Sequence, residues 1–282
     1  MSREILRYAA FTVDGQGGNP AGIVLDATGM TDAEMLAVAA EVGYSETAFV
    51  LPRDADPGAY DVRYFAPEQE VPFCGHATIA TGVALAERGA PADLTFHTPA
   101  GEVAVRTSRD VDGPVAELTS IPPTVREPDP VLVEAALAAL HWTADELDPG
   151  YPVAMVNAGA NHLILVVRTR QRLADLAYDF GTLAALMRQH DLITLQLVWP
   201  ESPLVFHARD PFPPGGVVED PATGAAAAAL GGYLRQYGLV DEAATLTIRQ
   251  GEDMGRASRL TVELVAGEPG VRVRGYAGPI GL

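Results

Sequence analysis

The stretch CGHATIATGVALAERG at residues 74–89 has a counterpart in TGAAAAALGGYLRQYG at residues 223–238. Four positions coincide, each pair 149 residues apart; they are Gly75 and Gly224, Gly82 and Gly231, Leu85 and Leu234, and Gly89 and Gly238. Small side chains with hardly any charge predict helices that neighbouring elements approach closely on all sides. The repetition predicts a duplicated domain, each half wrapping a curved sheet around one central helix. The alternative is a chance match between two alanine-rich helices.

This repeat sets the predicted fold class and domain organisation. We expect an α+β protein of two similar halves. The N-terminal half covers residues 1–120 with its central helix near residues 75–88, and the C-terminal half covers residues 121–282 with its central helix near residues 223–237. The boundary falls in the proline-rich stretch IPPTVREPDP at residues 121–130, and the last strand is free to return to the first half.

Elsewhere, strand-like runs alternate with a few predicted helices. A capping box at residues 31–34 begins one helix, and further helices are predicted over residues 130–140 and 172–189. A weaker similarity joins residues 43–50 to residues 159–166, since both read as a turn followed by a strand. This second similarity also favours duplication.

The composition of the 282 residues excludes several classes of function. Basic residues number 19 and acidic residues 37, so the formal net charge is −18, which disfavours a nucleic acid or an anionic membrane as partner. Every basic residue is arginine, and without lysine there is no Schiff base and no phosphate-loop lysine. The single cysteine, Cys74, excludes an internal disulfide, a cysteine-rich zinc site and a pair of thiols that transfer protons.

The sequence carries no sign of export or of membrane insertion. Charges interrupt residues 1–7 too often for the apolar core of a signal peptide. The longest strongly apolar stretches, residues 162–167 and 224–234, are about half the roughly 18 to 20 residues that a membrane span requires. We therefore expect a soluble, cytoplasmic protein.

The starts of the two small-residue helices are candidate anion sites. At Gly75-His76 and at Gly224-Ala225, unpaired backbone N–H groups and the positive end of the helix dipole favour a carboxylate. A glycine at a helix start is more often only a cap, and it is the pairing of two such starts that favours a ligand site. Such a site allows a strongly acidic protein to bind a small anionic metabolite without lysine.

Ionisable side chains accompany these helix starts. Glu46 stands between a helix stop and a strand, His76 opens the first small-residue helix, and Asp220 precedes the second. Carboxyl groups among apolar neighbours are suited to proton transfer. The alternatives are a solvated carboxylate, a satisfied histidine and an ordinary helix-start residue. Cys74 is a candidate nucleophile or proton carrier, or else a small buried group beside Phe73.

Four motifs occur in order over essentially the full chain. They are NPAGIV at residues 19–24, SETAF at residues 45–49, RYFAP and EVPFCGHAT within residues 63–78, and DPATG at residues 220–224. Each motif alone is a weak signal, but four in the same order are a strong one. Together they resemble the motifs of the PhzF-like (phenazine-biosynthesis isomerase-like) family.

The resemblance implies a fold, an activity and a set of site residues. The fold is diaminopimelate epimerase-like, with two similar halves of mostly antiparallel sheet and the active site in the cleft between them. The activity is that of an isomerase that moves a proton without cofactor or metal, in a protein that commonly forms a homodimer. Glu46 takes the acid/base role. The residues implied to bind substrate are Ser45, Cys74, Gly75, His76, Asp220, Thr223, Gly224 and Ala225.

Two positions depart from the patterns of related proteins. Racemases and epimerases related to the family carry a cysteine at each helix start, and Cys74 occupies the first place, but Thr223 and Gly224 replace the second. Racemisation by two thiols is therefore disfavoured. The isomerase pattern continues with serine after DPxTG, whereas this chain has Ala225. One side-chain hydrogen bond to the phenazine precursor would therefore be missing.

The predicted function is proton transfer by Glu46 on a small carboxylate-bearing metabolite, with His76 and Asp220 orienting the substrate. Two other functions stay open. Hydrolysis of a carbon–carbon bond next to a carbonyl needs much the same acid, whereas a protein that kept the fold only to bind a metabolite needs none.

Overall fold

The computed structural model describes residues 3–53 and 56–281. The chain divides into two compact units, of which unit 1 comprises Met1–Thr119 with Arg274–Leu282 and unit 2 comprises Ser120–Val273. The division falls directly before the proline-rich stretch, and the C-terminal residues belong to the unit formed by the N-terminal ones.

Strands and helices alternate along the chain. The strands are β1 Leu6–Ala10, β2 Asn19–Val24, β3 Thr47–Pro52, β4 Ala59–Phe65, β5 Glu70–Val71, β6 Asp93–Thr98, β7 Gly101–Asp110, β8 Gly113–Thr119, β9 Thr124–Arg126, β10 Ala154–Asn157, β11 Asn161–Val166, β12 Thr194–Ser202, β13 Val205–Pro211, β14 Glu219–Asp220, β15 Ala244–Gln250, β16 Ser258–Leu264 and β17 Arg272–Pro279. The helices are α1 Asp32–Val42, α2 Gly75–Glu87, α3 Pro130–Ala139, α4 Arg170–Ala174, α5 Phe180–Gln189 and α6 Gly224–Gln236. None of these helices is long and apolar enough to cross a membrane.

The strands of unit 1 close into a ring. Pairings run from β1 through β2, β3, β4, β6, β7 and β8 to β17, which pairs with β1 again. The pairs β2–β3 and β4–β6 are parallel, because a connection containing a helix joins each of them. The pairs β1–β2, β3–β4, β6–β7 and β7–β8 are antiparallel, so the sheet is mostly antiparallel, as predicted.

Helix α2 lies inside this ring. Its residues from His76 to Leu85 are all buried, and it packs against β1, β2, β3, β7 and β8. Interiors are packed densely, and the many small side chains of α2 let strands approach it from several sides. Unit 1 therefore has the predicted architecture of a curved sheet wrapped around a central helix.

Unit 2 repeats the order of pairings found in unit 1. From β10 through β11, β12, β13 and β15 to β16, the pairs are antiparallel, parallel, antiparallel, parallel and antiparallel. The series β1, β2, β3, β4, β6 and β7 has the same sequence of orientations. Helix α6 holds the place of α2, with Ala226 to Leu234 buried. The shared topology confirms that the two halves are similar.

Close packing explains why one pair of equivalent positions in the repeat, 82 and 231, is occupied by glycine. At Gly82 a Cβ atom would lie 3.0 Å from Val105 Cγ1, and at Gly231 it would lie 2.7 Å from Val262 Cγ1. Val105 lies on β7 and Val262 on β16, which hold equivalent places in the two series of strands. Each central helix therefore lacks a side chain where the equivalent strand approaches it.

Two sequence predictions about elements are wrong, and four strands were not predicted. The helix expected over residues 172–189 is split into α4 and α5, because Asp179 caps α5 by accepting from the backbone N–H of Thr182. The similarity of residues 43–50 to residues 159–166 aligns β3 with β11, whereas β11 holds the place of β2. The missed strands are the short β5, β9 and β14 and the longer β8, which completes the ring of unit 1.

The close approach at Gly231 leads to a stability prediction. Replacing Gly231 by alanine places a methyl group against Val262 and Val271, so we expect the free energy of unfolding to fall by about 1–3 kcal/mol. Urea unfolding followed by circular dichroism measures this change. The matched control is Gly181→Ala in α5, where the new Cβ would lie 3.7 Å from its nearest neighbour, and there we expect a gain of up to about 1 kcal/mol. Equal effects of the two substitutions would contradict the packing argument.

Candidate active site

Glu46 lies between helix α1 and strand β3 of unit 1. The helix ends at Gly43, whose φ of 71° turns the chain, and the backbone N–H of Gly22 on β2 donates to the carbonyl oxygen of Glu46 at 3.2 Å. A Cβ atom at position 22 would lie 2.5 Å from Thr47 Oγ1, so glycine permits this close approach. The backbone of Glu46 is thereby held against β2, and only 9% of the residue is exposed.

Three reactive side chains meet at the start of α2, and we call Glu46, Cys74 and His76 the unit 1 cluster. Cys74 is the N-cap residue of the helix, and its thiol donates to Glu46 Oε2 at 3.4 Å. His76 Nε2 lies 3.4 Å from the same oxygen. The sulfur of Cys74 lies 3.4 Å from Nδ1 and 3.7 Å from Nε2 of His76. All three residues are buried, so one carboxylate oxygen receives two potential donors away from bulk water.

Two further polar side chains orient the imidazole of His76. Asn19, the first residue of β2, lies with its Nδ2 at 3.0 Å from His76 Nδ1. Ser45 Oγ lies 3.4 Å from His76 Nε2. When Asn19 donates to Nδ1, the proton of the neutral imidazole is on Nε2, the nitrogen that faces Glu46 and Ser45. In this arrangement His76 donates toward the carboxylate.

The starts of α2 and α6 lack the side-chain cap that other helices have. Each of four N-cap side chains accepts a hydrogen bond from a backbone N–H in the first turn of its helix; they are Thr31, Asp129, Thr169 and Asp179. The N-cap residues Cys74 and Thr223 make no such bond. The N–H groups in the first turns of α2 and α6 therefore donate no hydrogen bond to an N-cap side chain, and the anion sites at these helix starts stay a prediction.

The start of α6 in unit 2 carries a different set of polar groups. Thr223 Oγ1 donates to Asp220 Oδ2 at 2.5 Å, and the backbone N–H of Thr223 donates to Gln250 Oε1 at 3.1 Å. Gln250 Nε2 donates to the backbone carbonyl of Asp220 at 2.8 Å. Asp220 and Gln250 are buried. Thr223 thus holds the Asp220 carboxylate in place.

The repeat extends further upstream than the two helix sequences indicate. In unit 1 the guanidinium of Arg63 on β4 donates to both carboxylate oxygens of Glu70 on β5. In unit 2 the guanidinium of Arg209 on β13 does the same with Glu219 on β14. Both arginine–glutamate pairs precede the central helix of their unit. Each pair joins two neighbouring strands, β4 and β5 in unit 1 and β13 and β14 in unit 2, which hold equivalent places.

Position 210 departs from this repeat. The strand register places Tyr64 opposite Val71 in unit 1 and Asp210 opposite Asp220 in unit 2. Tyr64 is fully buried with its hydroxyl 2.6 Å from Thr78 Oγ1. Asp210 is equally buried, yet neither of its carboxylate oxygens has a hydrogen-bond partner within residues 3–53 and 56–281. Two negative charges directly opposite each other on antiparallel strands are unfavourable.

These surroundings change the titration of Asp210. Burial raises its pKa well above the ordinary 3.8, and the nearby carboxylates of Asp220 and Glu219 act in the same direction. Asp210 therefore keeps its proton to a higher pH than an exposed aspartate does.

The predicted site residues fall into two groups. Unit 1 brings together Ser45, Glu46, Cys74, Gly75 and His76 near the start of α2, and unit 2 brings Asp220, Thr223, Gly224 and Ala225 to the start of α6. Sequence reasoning missed Asn19, Asp210 and Gln250. Two of them could have been found from the sequence. Asn19 begins the NPAGIV motif, and Asp210 follows Arg209 as Tyr64 follows Arg63 in the first half. Gln250 could not have been found in this way, because it reaches Thr223 from a strand 27 residues further on.

Similar proteins are known over nearly the whole chain. Residues 8–280 match the family model PhzC-PhzF, described as phenazine biosynthesis-like protein. An uncharacterized isomerase from Mesorhizobium japonicum is 33% identical over 279 residues, covering 93% of this chain and 91% of that protein. The trans-2,3-dihydro-3-hydroxyanthranilate isomerase of Pseudomonas fluorescens is 30% identical over 243 residues, covering 86% of this chain and 83% of that protein. The crystal structure of a Bacillus anthracis phenazine biosynthesis protein of the PhzF family aligns with a TM-score of 0.88 and 27% identity, over 100% of this chain and 98% of that one.

The raised pKa of Asp210 predicts how pH affects stability. Above pH 3.8 the unfolded chain loses the proton of Asp210 while the folded protein retains it, so the free energy of unfolding falls as pH rises toward the folded-state pKa. Asp210→Asn removes this dependence. Between pH 3.8 and the raised pKa of Asp210 in the folded protein, we expect the free energy of unfolding of the variant, relative to that of wild type, to increase by up to about 1.4 kcal/mol per pH unit.

Urea unfolding of both proteins at several pH values measures this difference. The control is Asp241→Asn, a substitution at an exposed aspartate, which should leave the difference from wild type nearly constant with pH. If wild type and Asp210→Asn gave parallel stability curves, Asp210 would be ionised in the folded protein and the interpretation would be wrong.

Proposed function

The chain belongs to the PhzC-PhzF family of phenazine biosynthesis-like proteins, and we propose that it is a cofactor-independent isomerase whose acid/base group is Glu46. Family membership confirms the resemblance inferred from the four sequence motifs. The isomerase names of the relatives agree with an enzyme of that class. The substrate and the roles of individual residues are part of the proposal.

The contact geometry of the Glu46 carboxylate is the main support for its role. Its Oε2 atom lies 3.4 Å from both Cys74 Sγ and His76 Nε2, and the residue is buried. A general base must be able to take up a proton and pass it on, and proton transfer needs donors and acceptors at hydrogen-bond distance. The two neighbouring hydrogen-bonding groups orient the carboxylate for both steps.

The start of α2 is the proposed site for the acidic group of the substrate. Its first backbone N–H groups donate no hydrogen bond to the side chain of Cys74, and the positive end of the helix dipole favours a carboxylate. The isomerase of Pseudomonas fluorescens acts on a dihydro-hydroxyanthranilate by its name, a carboxylate-bearing ring compound. We therefore propose a small, conjugated carboxylate as substrate.

In the proposed reaction Glu46 removes a proton from a carbon of the substrate and returns it at another position of the conjugated system. His76 donates to the substrate atom on which charge develops, and Asn19 holds its imidazole in the required tautomer. The substrate-binding role of Asp220, Thr223 and Gly224 stays a prediction from the resemblance. Ala225 offers only its backbone N–H where the family isomerase has a serine hydroxyl.

Hydrogen–deuterium exchange tests this proposal. Wild-type protein is incubated in deuterated water with trans-2,3-dihydro-3-hydroxyanthranilate and then with a panel of other small conjugated carboxylates. An isomerase incorporates deuterium at carbon and leaves the composition otherwise unchanged. We expect Glu46→Gln to lower the rate by about 10²- to 10⁴-fold with the fold intact, because a general acid–base contribution is lost.

The matched control is Glu41→Gln at the exposed end of α1, which should keep wild-type turnover. Two product fragments instead of an isomer would identify hydrolysis, and tight binding with neither turnover nor exchange would identify a binding protein. Near-normal turnover by Glu46→Gln would show that another group carries the proton.

A further inference from the structure

The unit 1 cluster combines a carboxylate oxygen, a thiol sulfur and an imidazole nitrogen, one from each residue. The three candidate ligand atoms of Glu46, Cys74 and His76 all lie within 4.8 Å of one another. For coordination through His76 Nε2 the separations are 3.4 Å from Glu46 Oε2 to Cys74 Sγ, 3.4 Å from Glu46 Oε2 to His76 Nε2, and 3.7 Å from Cys74 Sγ to His76 Nε2. The three atoms form a nearly equilateral triangle.

This triangle has the dimensions of one face of a tetrahedral zinc site. Metal–ligand distances of about 2.0 Å to oxygen or nitrogen and about 2.3 Å to sulfur place neighbouring ligands of a tetrahedron about 3.3 to 3.6 Å apart. The three measured separations differ from these values by only about 0.1 to 0.2 Å. No rearrangement of the backbone is needed to bring the ligands together.

We propose that Glu46, Cys74 and His76 form a three-ligand binding site for Zn²⁺ or a similar thiophilic divalent cation. The donor set selects this class, because thiolate and imidazole favour zinc and cadmium, whereas magnesium and calcium favour oxygen ligands alone. Two anionic ligands balance the charge of the ion. On binding, the thiol proton of Cys74 is released to solvent, and the fourth position stays open to water or an anion.

The surroundings of His76 suit a metal ligand. Coordination through Nε2 leaves a proton on Nδ1, which then requires an acceptor. The amide of Asn19 lies 3.0 Å from Nδ1, and with its oxygen and nitrogen interchanged it supplies that acceptor. Asn19 therefore serves the imidazole in both states, donating to Nδ1 in the metal-free protein and accepting from it in the metal-bound one.

Metal binding has a consequence for activity that rests on the proposed function. The ion takes the Glu46 oxygen that would otherwise accept a substrate proton, so Zn²⁺ acts as a reversible inhibitor. The same three side chains thus bind either the ion or the reacting substrate. Chelation by EDTA should restore full turnover.

Titration of the full-length protein with Cd²⁺ tests the site without any need for turnover. We expect one equivalent to bind, with the ultraviolet charge-transfer absorption of a cadmium–thiolate bond, and Zn²⁺ to compete while Mg²⁺ does not. Cys74→Ser should abolish the absorption. Glu46→Gln and His76→Asn should each weaken binding at least about tenfold. The control is His97→Asn, which removes a histidine lying 3.8 Å from Glu102 Oε2 in unit 1 and should bind as wild type does.

Two results would overturn the site. One is the absence of a stoichiometric cadmium–thiolate absorption in wild-type protein whose circular dichroism shows it to be folded. The other is unchanged Cd²⁺ affinity in both Glu46→Gln and His76→Asn, which would mean that the thiol alone binds the ion. The two proposals fail separately: stoichiometric binding by an enzyme whose Glu46→Gln variant is fully active keeps the metal site and removes the proposed base.

Discussion

The packing of a helix of small side chains inside a closed sheet is the constraint on which unit 1 depends. Residues of α2 from His76 to Leu85 are buried among strands on several sides, and most of them are alanine, glycine or threonine, whose small side chains suit such close packing. Helix α6 meets the same requirement in unit 2. Gly82 and Gly231 lie where the equivalent strands β7 and β16 approach the two helices closely. The hydrophobic effect drives this burial, and steric fit decides which residues take part.

The same packing determines where the polar chemistry lies. A buried helix start leaves backbone N–H groups that need partners, and neither Cys74 nor Thr223 supplies one from its side chain. Polar side chains therefore gather at both starts, but they differ between the units. In unit 1 the thiol of Cys74 and the imidazole of His76 contact one carboxylate oxygen of Glu46. In unit 2 the side chains of Thr223 and Gln250 form hydrogen bonds to Asp220. A duplicated scaffold thus carries two different sets of groups.

Much of the fold was predictable because the repeat is contained in two short stretches of sequence. The errors came where a tertiary contact overrides a local pattern. Residues 172–189 have helical periodicity, but Asp179 caps a second helix within them. Strand β8 contains a proline and a weak alternation, and pairing with β7 and β17 makes it a strand. Local propensity carries no information about either pairing partner.

By itself, the sequence determined the duplicated architecture, the central helices, the family and the candidate residues Glu46, Cys74 and His76, because each of these depends on composition or on neighbours along the chain. Only the tertiary structure decided which atoms meet. Glu46 and Cys74 are 28 residues apart, and Asn19 and His76 are 57 apart, so their contacts arise from strand pairing around α2. The buried position of Asp210 opposite Asp220 has the same origin, since the register of two strands sets which side chains face each other.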